Sequence, residues 1–334
     1  MNFAVPDLPA LKGLGAEPST ILRPSTPEVF SFITSNFFSD EKIVIPNSFA
    51  AEFAPFILAN SHKMTLQKYQ KNPELYSLRI SVGSFKDTSN ISNLSVGIRI
   101  TVIDKGDLKN DKQFLEKLTS ILRQRVKKMD YFRDEYQRIN NISEEDFAEN
   151  KNGVQEIIKE YATSKIKEDT DKHIEQLKEK YKTENWNSEK FDIAFAVVGT
   201  SSDSIVKNTK FNSFITWLTY GYPMFENSGQ VLVGGNLRVF KGYNNDKYYV
   251  EPSLGSRVYL GTNRIKGFSE VQYTYNQYEG KSHFLLDVGG EFNISDGIWL
   301  DFYVGIDRNP ASNVSEFISN FNFRYTLPEK FKFF

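Results

Sequence analysis

The chain of 334 residues contains no cysteine. That removes disulfide frameworks, thiolate metal sites and cysteine nucleophiles together. Histidine is nearly as scarce: His62, His173 and His283 are the whole supply, with no metal-ligand spacing among them, so neither a metal nor a cofactor is expected. No run of 18 apolar residues occurs, which excludes a helical membrane span. Neither sign of charge dominates, since 41 Lys and Arg face 42 Asp and Glu, and nothing in that balance points to nucleic acid. A phosphate loop is missing too, because Gly234-Gly235 and Gly289-Gly290 lie inside strand-like stretches, where glycine marks a bend or close packing. The opening Met1-Asn2-Phe3-Ala4-Val5-Pro6 has no basic region followed by an apolar core, so no signal peptide is visible. A location beyond an inner membrane would then require a mature chain.

What is present is aromatic and alternating. The chain holds 28 Phe and 17 Tyr. From Lys190 to Phe334 it keeps a rhythm of two, broken by short polar turns. Phe284, Leu286, Val288, Phe292 and Ile294 alternate with His283, Asp287, Glu291 and Asn293, and Ile298, Leu300, Phe302, Val304 and Ile306 alternate with Asp301, Tyr303 and Asp307. Side chains of a strand point to opposite sides in turn, so each segment has one greasy and one wet face. Strands are expected at about 190–199, 210–221, 229–241, 248–261, 265–277, 282–294, 297–307 and 315–326.

Four regions follow from the pattern. Residues 1–46 carry six of the twelve prolines and cannot supply long paired strands; one short helix fits from Ser25 or Thr26, with Val29, Phe30, Ile33 and Phe37 on its apolar side. This Pro-rich segment reads as a packed terminal helix, or as a cap or plug. Residues 47–104 hold strand-like Ser48–Leu58, Leu75–Phe85 and Asn93–Ile103, with a short helix near Met64–Gln70. Residues 105–189 change period: Phe114, Leu115, Leu118, Ile121, Leu122, Val126 and Met129 recur at spacings of three and four, and Val154, Ile157, Ile158, Tyr161 and Ile166 do so again. Two such helices joined by a short linker predict an antiparallel helical hairpin. Residues 190–334 supply the remaining strands and a Phe-rich tail.

The expected fold is all-β with a helical insertion, an antiparallel transmembrane β-barrel. Three features favour it over a soluble sandwich. The strands are long, the wet face stays polar along nearly every strand, and aromatics collect near strand ends. On the wet face stand Arg79, Arg99, Arg238, Arg257 and Arg324 with Asp192, Glu251, Glu270, Asp287, Glu291 and Asp301. The boundary aromatics are Trp217, Tyr220, Tyr222, Tyr248, Tyr249, Tyr273, Tyr275 and Tyr278. Eleven strands are countable, whereas a single-chain barrel with both ends on one side needs an even number, so about twelve are expected, with the uncounted one in 39–74.

On these residues the chain resembles outer-membrane β-barrel proteins of Gram-negative bacteria, with a Bacteroidota-like flavour in its insertion and aromatic-rich strands. The likeness covers about 47–334 without the insertion. Its most specific part is the end, where Phe317, Phe321, Phe323 and Tyr325 share a face and Phe334 is terminal. Pro328 interrupts that last strand, a departure from the family's pattern. The resemblance implies an outer-membrane location, contact with lipid and handling by the barrel-assembly machinery. Function is then expected to be non-enzymatic: a narrow or partly occluded channel for ions or small solutes, or an envelope-complex component that binds a partner through residues 107–187. A third reading, lipid hydrolysis, would use His283 with Ser269 and Asp287.

Overall fold

A computed structural model describes residues 3–15, 21–23, 30–31, 34–39, 42–60, 64–150, 153–242, 246–295, 298–309 and 314–325, without the side chains of 36, 39, 167–169, 309, 314, 324 and 325. The chain divides into two compact units, one of Met1–Lys105 with Asn187–Phe334, the other of Gly106–Trp186.

The first unit is built on one eleven-stranded antiparallel sheet in which every strand pairs with its sequence neighbours. Its strands are β3 (Ser48–Phe53), β4 (Arg79–Lys86), β5 (Ser92–Asp104), β6 (Lys190–Ser201), β7 (Lys210–Met224), β8 (Gly229–Lys241), β9 (Tyr248–Gly261), β10 (Ile265–Asn276), β11 (Lys281–Ser295), β12 (Ile298–Asn309) and β13 (Val314–Tyr325). A separate two-stranded ribbon, β1 (Phe38–Ser39) and β2 (Lys42–Ile43), precedes them. The sheet order ends at β3 on one side and β13 on the other. Strands β8 and β9 begin and stop where the alternation of their side chains does. At one end of the sheet lie the connections 225–228, 262–264 and 296–297, the longer 54–78, the points where the insertion leaves and rejoins the sheet, and the last residue of β13. The connections 87–91, 202–209, 242–247, 277–280 and 310–313 lie at the other end.

Among the described residues of 39–74, where a twelfth strand is expected, β3 alone joins the sheet, because Pro55 and Pro73 each start a helix, Pro55–Ala59 and Pro73–Ser77, with a third, Leu66–Lys71, between them. Proline presets the first helical φ and lacks the donor that a ladder needs. The edge of β3 carries one further bridge among the described residues, parallel, between Leu22 and Ala51. The helix expected from Ser25 falls mostly outside the described residues, although Phe30, Ser31 and Thr34 are helical.

Burial in the sheet runs opposite to hydropathy. In β10, Glu270 is 2% exposed and Phe268 and Gln272 are buried, whereas Val271 and Tyr273 between them are exposed. Ser81, Ser95, Ser213, Ser253, Arg257, Asp287 and Glu291 are buried in the same way. Val96, Ile98, Phe195, Val197, Leu218, Val233, Leu254, Leu286, Val288, Phe302, Val304 and Phe317 stand exposed on the other face. The polar face is therefore the covered one and the apolar face the open one.

Part of that cover is the N-terminal segment, which lies along the polar face. Pro9 opens a six-residue helix, α1 (Pro9–Leu14), and Gly15 closes it in the left-handed region, its N–H returning to Lys12. The Val5 N–H donates to Thr219 Oγ1 at 2.7 Å and the Ala10 N–H to Ser81 Oγ at 3.1 Å. Phe3 is fully buried.

The second unit is a helical hairpin of α2 (Lys112–Ile139) and α3 (Val154–Asn185), of 28 and 32 residues, hence about 42 and 48 Å long. Phe114 meets Tyr181 at 5.2 Å between ring centroids and Tyr136 meets Tyr161 at 4.9 Å, so the start of one helix packs on the end of the other. Asp111 caps α2 by accepting the Phe114 N–H at 2.7 Å. Phe114, Leu118 and Tyr181 form the core, with Leu115, Leu122, Ile174 and Leu177 around it.

Candidate functional site

The covered face of the sheet is where chemistry can occur, and it has two differently built parts. Across β4 to β7 it carries many small uncharged residues, Ser81, Gly83, Ser95, Gly97, Ala194, Ala196, Ser213 and Thr219, beside the larger Ile215 and Trp217. The N-terminal segment fills the space these residues leave. A methyl group at Gly97 would lie 2.5 Å from the Ala10 nitrogen, and one at Gly83 2.6 Å from Leu11 Cδ2. Gly234 and Gly255 pair across β8 and β9, and a methyl group on Gly255 would overlap the Phe3 ring. The glycines inside these strands are thus a seat for another part of the chain. Asp7 pairs with Arg99 at 2.8 Å, and Arg99 also reaches Glu52 at 3.6 Å.

Across β9 to β11 the covered face is charged. Arg257 and Glu270 are opposite each other in register, with Nη2 to Oε2 at 2.5 Å. Arg257 Nη1 contacts Glu291 Oε1 at 3.2 Å, and the Tyr259 hydroxyl donates to that same oxygen at 2.7 Å. Lys266 completes the group from its register position opposite Glu291, at 3.2 Å. The Phe268 ring lies 3.9 Å from the Arg257 guanidinium carbon, closing one side of the cation. Asp287 is opposite both Glu270 and Gly305, 4% exposed, with no hydrogen bond to its Oδ1 among the described residues. Gly305 makes room for it: any Cβ there would collide with that oxygen.

Between these parts, α1 and strands β7 to β10 line an open cavity of about 320 Å³. Ile215 and Trp217 form its apolar side, Lys12 and Leu14 belong to the N-terminal wall, and the polar wall includes Arg238, Glu251, Ser253, Gln272 and Thr274. Gln272 Nε2 donates to Ser253 Oγ and Thr274 Oγ1, each at 3.0 Å.

The wet-face charges read from the sequence divide accordingly. Arg257, Glu270 and Glu291 come together, with Asp287 beside Glu270. Arg238 and Glu251 face each other in register at the cavity without an ion pair among the described residues. Arg99 meets the N-terminal segment, and Asp192 accepts a hydrogen bond from Thr101. Arg79 donates to the carbonyls of Tyr76 and Leu78 at the start of its own strand. Asp301 lies opposite Glu291 in register. The Arg324 side chain, together with the tail containing Pro328 and Phe334, lies outside the described residues, as does His62.

Among the aromatics, Tyr220, Tyr248, Tyr273 and Tyr275 are on the open face. Phe191, Tyr220 and Tyr222 cluster near the end where the insertion leaves the sheet, Phe211 and Tyr248 near the other. Trp217 is a correction. It is 2% exposed on the covered face, packed with Ala194, Ala196, Ile215 and Val5. Strand β7 is apolar on both sides at Phe214, Ile215, Trp217 and Leu218, which hides its phase from a reading by alternation. The expected grouping of Ser269 with His283 and Asp287 fails as well. Ser269 lies in β10 opposite Val288 on the open face, whereas His283 is on the covered one, 3.6 Å from Asp307. Among the described residues no group of His, Asp and Glu is placed to hold a metal ion. The role of the N-terminal segment was only one option in the sequence, and its sole signal was glycine recurring inside strands of the sheet.

No protein-family model matches the chain, and no curated protein is similar to it in sequence.

Proposed function

We propose that this chain is an outer-membrane β-barrel of a Gram-negative envelope, closed in the described conformation by its own N-terminal segment, and that it passes ions or small solutes when that segment yields. The observation that carries the reading is the inverted burial: carboxylates and guanidinium covered, Leu, Val and Phe open across β5 to β13. Soluble proteins rarely expose a contiguous apolar patch beyond a few hundred Å². A strand with lipid on one side and a polar interior on the other needs this arrangement.

The aromatic belts give the same answer by length. Phe211 and Tyr220 are nine residues apart on β7, which is about 30 Å along a strand and about 23 Å in height at a tilt near 40°. Barrel proteins present an apolar band about 25 Å tall between two such girdles. The insertion leaves the sheet at the end where β13 stops, and with a periplasmic carboxyl end, as such proteins have, both are on the periplasmic side. Closure would bring β3 and β13 to one seam.

The deciding experiment is membrane fractionation with heat-modifiable gel migration, followed by current recordings in planar bilayers. Wild-type protein should remain largely closed, and removal of residues 3–15 should give resolvable openings. A chain recovered without detergent in the soluble fraction, or a shortened one with no current, defeats the proposal. A second reading is supported by the separate helical unit, on which Val126, Tyr131, Ile139 and Ile157 are exposed. In it the hairpin docks an envelope protein. Loss of a co-purifying partner on deletion of 107–187, with the barrel still folded, would favour that role.

A further inference from the structure

The cavity beside α1 contains two buried polar groups that the fold leaves unanswered. Arg238 Nε is buried with no hydrogen-bond acceptor among the described residues. Its guanidinium rests on the Phe240 ring at 5.1 Å, and the carboxylate opposite it in register, Glu251, instead accepts from Asn276 Nδ2 at 2.7 Å. Across the same cavity Gln272 is 8% exposed, and its Oε1 is buried with no donor. The amide's Nε2 donates to both Ser253 and Thr274.

A buried guanidinium N–H without an acceptor and a buried amide oxygen without a donor are each unfavourable by kilocalories unless something else meets them. On the same face Arg257 has Glu270, Glu291 and Tyr259, whereas Ser95 Oγ, Ser213 Oγ and Asp287 Oδ1 also have no partner among the described residues. What sets Arg238 and Gln272 apart is that both line one pocket. At about 320 Å³ its volume sits at the lower end of the range for small-molecule sites, roughly 300–1,000 Å³.

We infer that this cavity is a binding site for a small carboxylate that also carries hydroxyl groups, a sugar acid of monosaccharide size. The carboxylate would take the Arg238 guanidinium. A ligand hydroxyl would donate to Gln272 Oε1, and others would exchange hydrogen bonds with Ser253 and Thr274. Trp217 and Ile215 offer the apolar patch that the C–H face of a ring needs. Charge alone would not require the Gln272 oxygen, and a neutral sugar would leave Arg238 unmet. A single molecule that carries both groups meets both demands. The site lies on the covered face whether or not the open face meets lipid, so its test is separate from that of the barrel.

Full-length protein purified in detergent micelles should be titrated by calorimetry with sodium D-glucuronate, D-glucose and sodium acetate in parallel. The expected result is saturable binding of glucuronate, tighter than either of the others. Arg238→Gln should weaken it about tenfold or more, the loss of one charge-assisted hydrogen bond. Gln272→Leu should weaken glucuronate while leaving acetate unchanged, with near-UV circular dichroism confirming that both variants keep the native packing. Absence of saturable glucuronate binding to wild-type protein overturns the proposal. So does equal affinity for glucose and glucuronate, or an unchanged affinity in Arg238→Gln.

Discussion

The covered face of the sheet solves one packing problem in two ways. From β4 to the middle of β9 it leaves room at Gly83, Gly97 and Gly255 for Leu11, Pro9, Ala10 and Phe3 of the N-terminal segment. Around Arg257, beyond that seat, Arg257, Tyr259, Phe268, Glu270 and Glu291 fill the space themselves and neutralise one another. The first part can be vacated by moving one end of the chain. The second cannot change without breaking ion pairs that are away from water. Mobility of the N-terminal segment therefore concerns the glycine-lined part, and rigidity the charged one.

The largest expected effect comes from the rigid half. Arg257→Met leaves Glu270 and Glu291 covered with their main cation gone, and breaking a buried pair in this way is typically worth about 3–5 kcal/mol. The midpoint of urea unfolding should fall accordingly. Adding Glu270→Gln and Glu291→Gln should restore much of the loss, since the penalty is uncompensated charge. A triple variant as unstable as the single one would mean that packing, not charge, holds this half together.

The open face should not distinguish the halves. Val197→Arg in β6 and Val288→Arg in β11 both replace exposed valines within long strands. In lipid each is worth about 2–4 kcal/mol near the middle of the apolar band. In water an exposed substitution normally changes stability by no more than about 0.5 kcal/mol. Parallel losses for folding into vesicles, absent for a Lys241→Arg control at a strand end, would confine the difference between halves to the covered face.

The seat of the N-terminal segment comes next. Gly255→Val puts a side chain where the Phe3 ring lies, and overpacking of this kind is typically worth about 1–3 kcal/mol. Because Phe3 can leave, the strain should appear mainly as release: faster proteolysis within residues 3–15 and more frequent openings in bilayers, with the ion pairs around Arg257 intact. If Gly255→Val instead lowers global stability as far as Arg257→Met does, the segment is part of the core.

How much of this the sequence reveals follows the same division. Strands β8 to β13 are legible because each repeats a period of two over a dozen residues, and α2 and α3 because theirs is 3.6. Segment 3–15 has no period to read, since α1 is only six residues long and its partners Gly83, Gly97 and Gly255 lie far along the chain. The phase of Trp217 was hidden for a related reason, its covered neighbours Ala194, Ala196 and Val5 being as apolar as lipid. The brevity of β3 was visible only through Pro55, which reads equally well as a strand edge or a helix start. Arg257 could be placed on the correct face from alternation, but its partners on β10 and β11 required register, which a sequence does not state.

The smallest expected effect lies where the insertion leaves the sheet. Lys105 pairs with Glu189, and the Tyr220 hydroxyl donates to Glu189 Oε1 at 2.9 Å. The bond from Lys105, and after it the one from Tyr220, hold the Glu189 carboxyl below its ordinary value of 4.5, while the same carboxylate raises Lys105 above 10.5. A lowered carboxyl contributes stability that is present above its unfolded value and disappears as pH falls through the folded one. A raised ammonium contributes stability that is present below its unfolded value and disappears as pH rises through the folded one. The pair should therefore help between about pH 5 and pH 10, and only slightly, because both groups face solvent and salt screens them. Glu189→Gln should lower the thermal midpoint a little at pH 7 and converge with wild type at acidic pH below the folded carboxyl value. A difference that persists there would mean that Glu189 acts through the Tyr220 hydrogen bond, which glutamine and a protonated carboxyl replace differently, and not through its charge.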